Sequence, residues 1–518
     1  MSILSKIINK TDNETHKNHT TNGFCIGVPE AEAEATTARI KLDCLFEDYL
    51  NILSQLDNEK FILLGRKGTG KSAIGEFILS QANDNSNLFC DFIKKNDIDI
   101  EKIVQIGKEE GITIEKTLLY KWIVLTKFIT LFIDNQSLVC QNGMKHLSNF
   151  IKRNRGFINI NNYEIKEIIK QYGLSVNTEY FKRYLNASGN TTTHYKQEKA
   201  EFFKLIPDLE KVIVNILKKD VDNSYILMFD DLDIGLNINN KESINTLSEL
   251  IRIVKYYNND VFARNNINAK IIIFLRTDIQ KHLIYTADMP KIFSSYSTEL
   301  RWYEDYYRNN EPKLFLRKFI NKRIKLNFQN KGLILNNNED PWTSFVDERS
   351  FYNGKTGFKY IIDHTFFRPR DLILFFKDIG TLDLSLPISA DEINTILMNK
   401  YVMDMVSDIK GEMSVNYCND DIELIFNSLC DCFDKDRTPF SYNQLIEKLN
   451  QHKLENAEKI VSDLFDYSLI GNYDCKNNVN FKFRESYGQT IAMRKDEKFI
   501  LHYLLQAYFK ISDRESNL

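Results

Sequence analysis

Short apolar runs separated by stretches of helical period set the pattern of this chain. Phe61-Ile-Leu-Leu64, Leu88–Ile93, Ser224–Phe229 and Lys270–Leu275 are each compact enough for one buried strand, and Ser297–Trp302 reads as a fifth. Runs that are apolar throughout, rather than alternating, belong to strands covered on both faces, as in parallel sheets. Between them the period changes to that of a helix. Leu42, Leu45, Phe46, Tyr49, Leu50 and Leu53 recur at helical spacing over 40–56, and 71–81 and 242–257 read likewise. The interval from about 112 to 220 is helical, with breaks at Asn154–Gly156 and Ser188-Gly-Asn-Thr. Because it holds no convincing strand, it reads as a helical insertion on an α/β core.

Beyond residue 310 the pattern is helical again. Glu311–Leu326 has a basic face, and Arg368-Pro369-Arg370-Asp371 is a helix start, with Pro in the first turn and Asp just inside. Pro387-Ile-Ser-Ala-Asp391 begins another helix. Phe440–Glu447 and Leu454–Phe465, followed by the strand-like pieces Ser468–Tyr473 and Asn478–Arg484, suggest a helix–turn–helix with a wing, and Phe499–Phe509 closes the chain as a helix. The expected division is a flexible tail over 1–24, an α/β core over 25–310 with its insertion, a helical lid over 311–385 and a C-terminal helical, winged-helix-like unit over 386–518.

The chemistry concentrates where the first run ends. Gly65-Arg66-Lys67-Gly68-Thr69-Gly70-Lys71-Ser72, leading into a helix at Ala73, fits G-x-x-x-x-G-K-[ST], the phosphate-binding P-loop. Its glycines let several backbone N–H groups converge on phosphates, and the following helix adds the positive end of its dipole. Lys71 supplies a point charge to the β- and γ-phosphates, and the Ser72 hydroxyl is a Mg²⁺ ligand. A buried strand ending in acids must stand opposite, and Phe229-Asp230-Asp231-Leu232-Asp233 supplies it. Asp230 is read as the Mg²⁺ carboxylate and Asp231 as the group that prepares water, with Asp233 either sharing that role or structural. Arg276, Thr277 and Asp278 end the fourth run, as γ-phosphate sensors or as a strand cap. Arg301 and Arg308 either reach a neighbouring subunit's nucleotide or form surface ion pairs. Arg368 and Arg370 at the helix tip are either a mobile cation for the γ-phosphate or a solvated pair.

Composition changes the picture little. The 518 residues carry a net charge of −3, with 43% hydrophobic and 27% charged residues, as in soluble globular proteins. Such a balance gives no bulk attraction to nucleic acid or anionic lipid. Cys25, Cys44, Cys90, Cys140, Cys418, Cys430, Cys432 and Cys475 are scattered without zinc spacing and read as reduced thiols. His16 and His19 lie in the polar start, which lacks the apolar core of a signal peptide. Trp122–Ile133 is the most apolar stretch, interrupted by Lys127 and too short to cross a bilayer. The expectation is a cytoplasmic protein without membrane contact.

Together, Gly65–Ser72, Phe229-Asp-Asp-Leu-Asp, Phe274-Leu-Arg-Thr-Asp, Phe367-Arg-Pro-Arg-Asp-Leu and the terminal unit resemble the bacterial P-loop ATPases of the broad AAA+/STAND and KAP-like group. The resemblance covers most of the chain from about Gly27. It implies a core sheet in the order 5-1-4-3-2, a lid carrying a sensor arginine, and ATP hydrolysis coupled to conformational change or assembly. It also implies ATP with Mg²⁺ as cofactors, a homo-oligomer or protein effector as partner, and an association with defence against phage. The acid pair is Asp230-Asp231 where many AAA+ machines carry Asp-Glu, which points to slow turnover. The transmembrane helices of KAP relatives are absent from the sequence. Two alternatives stand beside this reading: a non-hydrolysing nucleotide-binding scaffold, and a DNA-handling ATPase like replication initiators. Against the second, Glu455–Asp466, the helix that would enter a DNA groove, carries four acids and one lysine.

Overall fold

In the computed structural model the described residues are 19–94, 104, 109, 115–139, 143–154, 175–188, 199–232, 241–286, 288–304, 310–351, 355–433, 439–474, 478–485 and 490–515. The four apolar runs and the expected fifth strand form one parallel sheet: β1 (Ile62–Gly65), β2 (Leu88–Lys94), β3 (Ser224–Asp230), β4 (Ala269–Arg276) and β5 (Ser297–Glu299). Across the sheet they stand in the order β5-β1-β4-β3-β2. The P-loop helix α1 (Lys71–Asp84) follows β1. One face of the sheet is covered by α2 (Lys116–Asp134) and α3 (Phe202–Lys219) of the insertion, and Trp122, Phe128, Phe132 and Leu209 share an apolar core with Phe61, Phe229 and Ile273. The insertion is therefore packed as part of the α/β half. It also contains a two-stranded ribbon, Ser175–Asn177 against Lys199–Glu201, that the sequence did not suggest.

A second apolar core belongs to the C-terminal half. It runs through α4 (Phe315–Lys331), α5 (Pro369–Phe376), α6 (Val402–Met413), α7 (Tyr442–Gln451), α8 (Ala457–Asp466) and α9 (Tyr503–Glu515). The segment expected to form a lid and the terminal unit share this core, with Trp342, Phe376, Tyr401 and Phe465 among its members. The terminal strands β6 (Ile470–Tyr473), β7 (Val479–Asn480) and β8 (Lys498–Leu501) form an antiparallel sheet with β6 in the centre.

Several expectations need correction. The single helix over 40–56 is broken into Leu42–Leu45 and Ile52–Asp57, preceded by Ala31–Thr36. The break is made by Asp48, whose carboxylate accepts from the Ile52 and Leu53 N–H groups at 2.8 and 2.7 Å and so starts a new helix. Residues 19–24, expected in a flexible tail, are packed: Leu386 N–H donates to His19 O, Gly23 N–H to Gly380 O, and Phe24 is buried in the C-terminal core. Residues 1–18 lie outside the described residues. Thr277 and Asp278 open a helix (Thr277–Leu283) rather than ending a strand. Phe499 lies in β8, and the closing helix starts at Tyr503. The second arm of the expected hairpin shortens to Val479–Asn480 before a 3-10 turn at Lys482–Arg484.

Candidate functional site

The strand register brings the polar strand ends together. Gly65 is opposite Arg276, Leu64 opposite Glu299, and Lys94 opposite Asp230, all at the carboxyl edge of the sheet. This is the edge at which parallel α/β sheets place ligands. The loop leaving β1 turns back on itself. Thr69 is buried, its hydroxyl donates to Arg66 O at 2.8 Å, and the Trp302 indole N–H donates to Thr69 O at 2.9 Å. Gly68 has a φ of +80°, and a Cβ there would stand 3.2 Å from Arg370 Cβ, so only glycine permits both the turn and the close approach of α5. The Lys71 ammonium is turned onto the loop, 3.0 Å from Gly65 O and 3.2 Å from Arg66 O. Ala73 continues the helix and, with Gly68, Gly70, Lys71 and Ser72, lines the adjoining cavity.

Across from the loop, Asp230 is 5% exposed and its carboxylate is hydrogen-bonded by the Ser72 hydroxyl and, at 2.9 Å, by the Asp231 N–H. Burial pushes this carboxyl above the usual range, with Ser72, the Asp231 N–H, Lys71 and Lys94 pulling the other way. Asp231 adopts a left-handed φ of +56°, a conformation that costs a non-glycine residue about 1–3 kcal/mol and that concentrates at functional sites. Lys94 reaches Glu32 at 2.9 Å and Glu76 at 3.9 Å, so an ionic cluster flanks Asp230. Burial also raises the Glu76 carboxyl.

The residues fit Mg²⁺ with a nucleotide. Mg²⁺ takes one or two protein oxygens and completes its octahedron with phosphates and water, and the Ser72–Asp230 pair supplies such oxygens. Among the described residues no group of three or more His, Cys, Asp or Glu forms a closed metal site. The cavity has a volume of about 520 Å³, within the range of small-molecule sites. Lys71, Ser72, Asp230, Asp231 and Arg370 share its lining with Phe46, Tyr49, Trp302 and Phe319. The Trp302 ring stands between the other two, its centroid 6.2 Å from that of Tyr49 and 6.0 Å from that of Phe319. The wall between Pro29 and α4 is locked by a buried ion pair. Arg323 Nη1 and Nη2 stand 2.6 and 3.0 Å from the two Glu34 oxygens, and Nη1 also donates to Ile26 O at 2.7 Å. Gly27 lies against this pair, where any Cβ would fall 2.2 Å from Arg323 Nη1.

The two arginines at the start of α5 separate sharply. Arg368, expected as one option for a mobile γ-phosphate cation, is 2% exposed and aimed away from that role. Its Nε bonds Asp371 at 2.9 Å, and its Nη1 bonds Glu412 at 2.9 Å and Lys67 O at 3.0 Å. Burial works against its charge, but Asp371 and Glu412 outweigh burial and raise its pKa. It is a fixed brace under the P-loop. Arg370 lines the cavity, and its N–H faces Gly68 O at 3.4 Å. Arg276 also lines the cavity, and its Nε donates to Asp278 at 3.0 Å. Arg301 pairs with Glu299 at 2.6 Å within its own chain. Asp233 and Arg308 lie outside the described residues.

Sequence reasoning missed Lys94, Trp302, the Glu34–Arg323 pair and the acids of α6. Only the last left a readable signal: Asp404, Asp408 and Glu412 recur every fourth residue along one helix face. Among the described residues no helix is long and apolar enough to cross a membrane.

Comparison with known proteins gives a family model and a fold likeness. The FunZ-associated C-terminal helical domain matches residues 315–384, a range that holds the helices Phe315–Lys331, Gly357–Asp363 and Pro369–Phe376. Two structures of the Aeropyrum pernix ORC2 protein, in ADPNP–ADP complexes and in the ADP form, align over 94% and 98% of this chain and 94% and 95% of theirs. Their identities are 10% and 11%, each with a TM-score of 0.29, at which the likeness carries no argument about this chain. No curated protein matches.

Proposed function

We propose that this chain is a cytoplasmic, Mg²⁺-dependent ATPase that uses its nucleotide state to switch assembly or the activity of a protein partner. The observation that supports it is the convergence of Lys71, Ser72, Asp230, Asp231 and Arg370 on one cavity. Lys71 and the N–H groups of 65–73 bind phosphates; Ser72 and Asp230 would hold Mg²⁺, which supplies charge neutralisation between the phosphates. Asp231 orients the attacking water, and Arg370 reads the γ-phosphate from the lid. The aromatic lining of Tyr49, Trp302 and Phe319 suits a base. Steady-state ATP hydrolysis by Lys71→Ala and Asp231→Asn tests the assignment, with both expected to lose activity; wild-type rates in both would sink it. Mass measurement with and without ATP tests assembly, and an unchanged monomer would remove that half of the proposal.

A second reading, a scaffold that retains nucleotide, is favoured by one observation: Lys71 and Arg370 are both already engaged by protein oxygens. Bound nucleotide persisting for hours without phosphate release would select it. We read the terminal unit, β6–β8 with α7 and α8, as winged-helix-like and as a surface for protein. Helix α8 carries Glu458, Asp463 and Asp466 against Lys459, a balance poorly suited to DNA phosphates, and Asp466 pairs with Lys281 of the α/β half at 2.8 Å. Salt-sensitive binding to duplex DNA would overturn this choice. A role in defence against phage is proposed from the group resemblance alone, and plaque counts on cells with and without Lys71→Ala test it.

A further inference from the structure

The acids of α6 form a ladder against cations presented by the lid. Asp404 pairs with Lys377, Asp408 with Arg370, and Glu412 with Arg368. The opposite face of α6, with Val402, Met405, Val406, Ile409 and Met413, is buried in the C-terminal core. The helix therefore moves with that half or not at all. The three rungs differ in what they touch. The Glu412 rung is buried, and the Asp404 rung involves no residue of the cavity lining. The middle rung alone reaches the cavity. Asp408 accepts from Arg370 Nη1 at 3.1 and 3.0 Å and from the P-loop's Lys67 Nζ at 2.9 Å, and both cations line the cavity beside Lys71. Burial pushes the Asp408 carboxyl up, but Arg370 and Lys67 outweigh it and hold it below its usual value, so it is ionised at neutral pH.

We propose that Asp408 is a positioning residue that holds Arg370 and Lys67 back from the phosphate site and yields them to a γ-phosphate, so that triphosphate binding breaks the ion pair between α6 and the P-loop at Asp408. This deepens the nucleotide reading above and rests on it. A terminal phosphate carries about two negative charges and three acceptor oxygens, against one charge and two oxygens on the carboxylate. In a shared cavity it is the stronger partner for a guanidinium. A diphosphate ends at the β-phosphate, which Lys71 and the loop N–H groups serve, so it leaves the Asp408 rung in place. The rung thus works against ATP and not against ADP, and its release is the event that the C-terminal half feels.

The test is calorimetric binding of ADP and of a non-hydrolysable ATP analogue, with Mg²⁺, to the full chain. Asp408→Asn keeps the shape and removes the charge. It is expected to tighten the analogue about five- to tenfold, the lower range of a coupling free energy between sites, while ADP changes less than about twofold. Adding Arg370→Ala to it should abolish the gain, and Asp404→Asn, one rung away, should leave the ratio unchanged. An equal effect on both nucleotides, or none, overturns the latch while leaving nucleotide binding intact. Absence of binding of either nucleotide to the wild-type chain overturns the nucleotide reading itself. Should Asp408→Asn fail to fold, Asp408→Ser carries the same expected ratio.

Discussion

The interior of the α/β half and the seam between the two halves are made of different chemistry. Inside the sheet half, Phe61, Trp122, Phe128, Phe229 and Ile273 are each at most 2% exposed and meet one another without a charge. Along the seam, Arg66 faces Tyr467 O, Lys67 and Arg370 share Asp408, Arg368 donates to Lys67 O, and Lys281 joins Asp466. Apolar packing fixes each half because its atoms have no better partner anywhere. Two of the seam cations, Lys67 and Arg370, have a competitor, since both line the cavity and a phosphate there offers them a stronger anion. The P-loop lies on the boundary, held to the sheet by covalent continuity and to the C-terminal half by charge.

The largest effects should come from the interior. Trp122→Ala is expected to cost about 3–5 kcal/mol, read by urea denaturation, while molecules that remain folded bind nucleotide as before. Arg368→Met should approach the same loss, about 3–5 kcal/mol, because it leaves Asp371 and Glu412 buried and unpaired. The triple change Arg368→Met, Asp371→Asn and Glu412→Gln should recover most of it, since the two carboxylates that Arg368 balances are then neutral. A triple variant as unstable as the single one would mean that Arg368 acts through packing, and the seam would then resemble the interior.

His502 sharpens the contrast from the other side, as a polar group inside the C-terminal core. Its ring stacks on Phe366 at 4.4 Å, and its Nδ1 accepts from the Leu504 N–H at 3.2 Å. Burial, then the nearby His364 and Arg484, push its pKa well below the usual value. The folded state therefore binds fewer protons than the unfolded state below about pH 6.5. Stability is fully present above that pH and should fall by up to about 1.4 kcal/mol per unit as pH drops from there toward the folded-state pKa. His502→Gln, measured by denaturation between pH 7 and 5, should flatten that slope.

How much of this was legible in the sequence depended on whether a feature is local. The strands at 62–65, 224–230 and 269–276 were readable because burial on both faces demands near-continuous apolar runs, the edge strand at 88–94 because a turn cluster precedes its apolar residues, and the P-loop because its turn and its phosphate chemistry sit in eight consecutive residues. The break after Leu45 was not readable, because the apolar spacing continues through it and the deciding group is one carboxylate, Asp48. The division of labour between Arg368 and Arg370 was equally hidden. Both flank Pro369 at a helix start, and only the placement of α6, more than thirty residues later, buries one and leaves the other in the cavity. Glu34 and Arg323 meet across 289 positions, a pairing that no local pattern encodes.

The smallest expected effect tests whether the seam is a set of separate contacts or a network. Lys281 and Asp466 are half-exposed, at 50% and 40%, so water and salt compete for both charges. An isolated pair of this kind is worth about 0.2–1 kcal/mol, and Lys281→Ala should lose that much at low ionic strength and almost nothing at 1 M salt, where the screening length is about 3 Å. Asp466 is the last residue of α8, and the Tyr467 carbonyl next to it faces Arg66 of the P-loop at 3.5 Å. If the contacts are independent, Lys281→Ala leaves ATP-analogue affinity unchanged. A change in that affinity together with a stability loss above 1 kcal/mol would show that α8 and the P-loop respond as one unit. The rim of the seam would then belong with the buried Arg368 brace rather than with ordinary surface ion pairs.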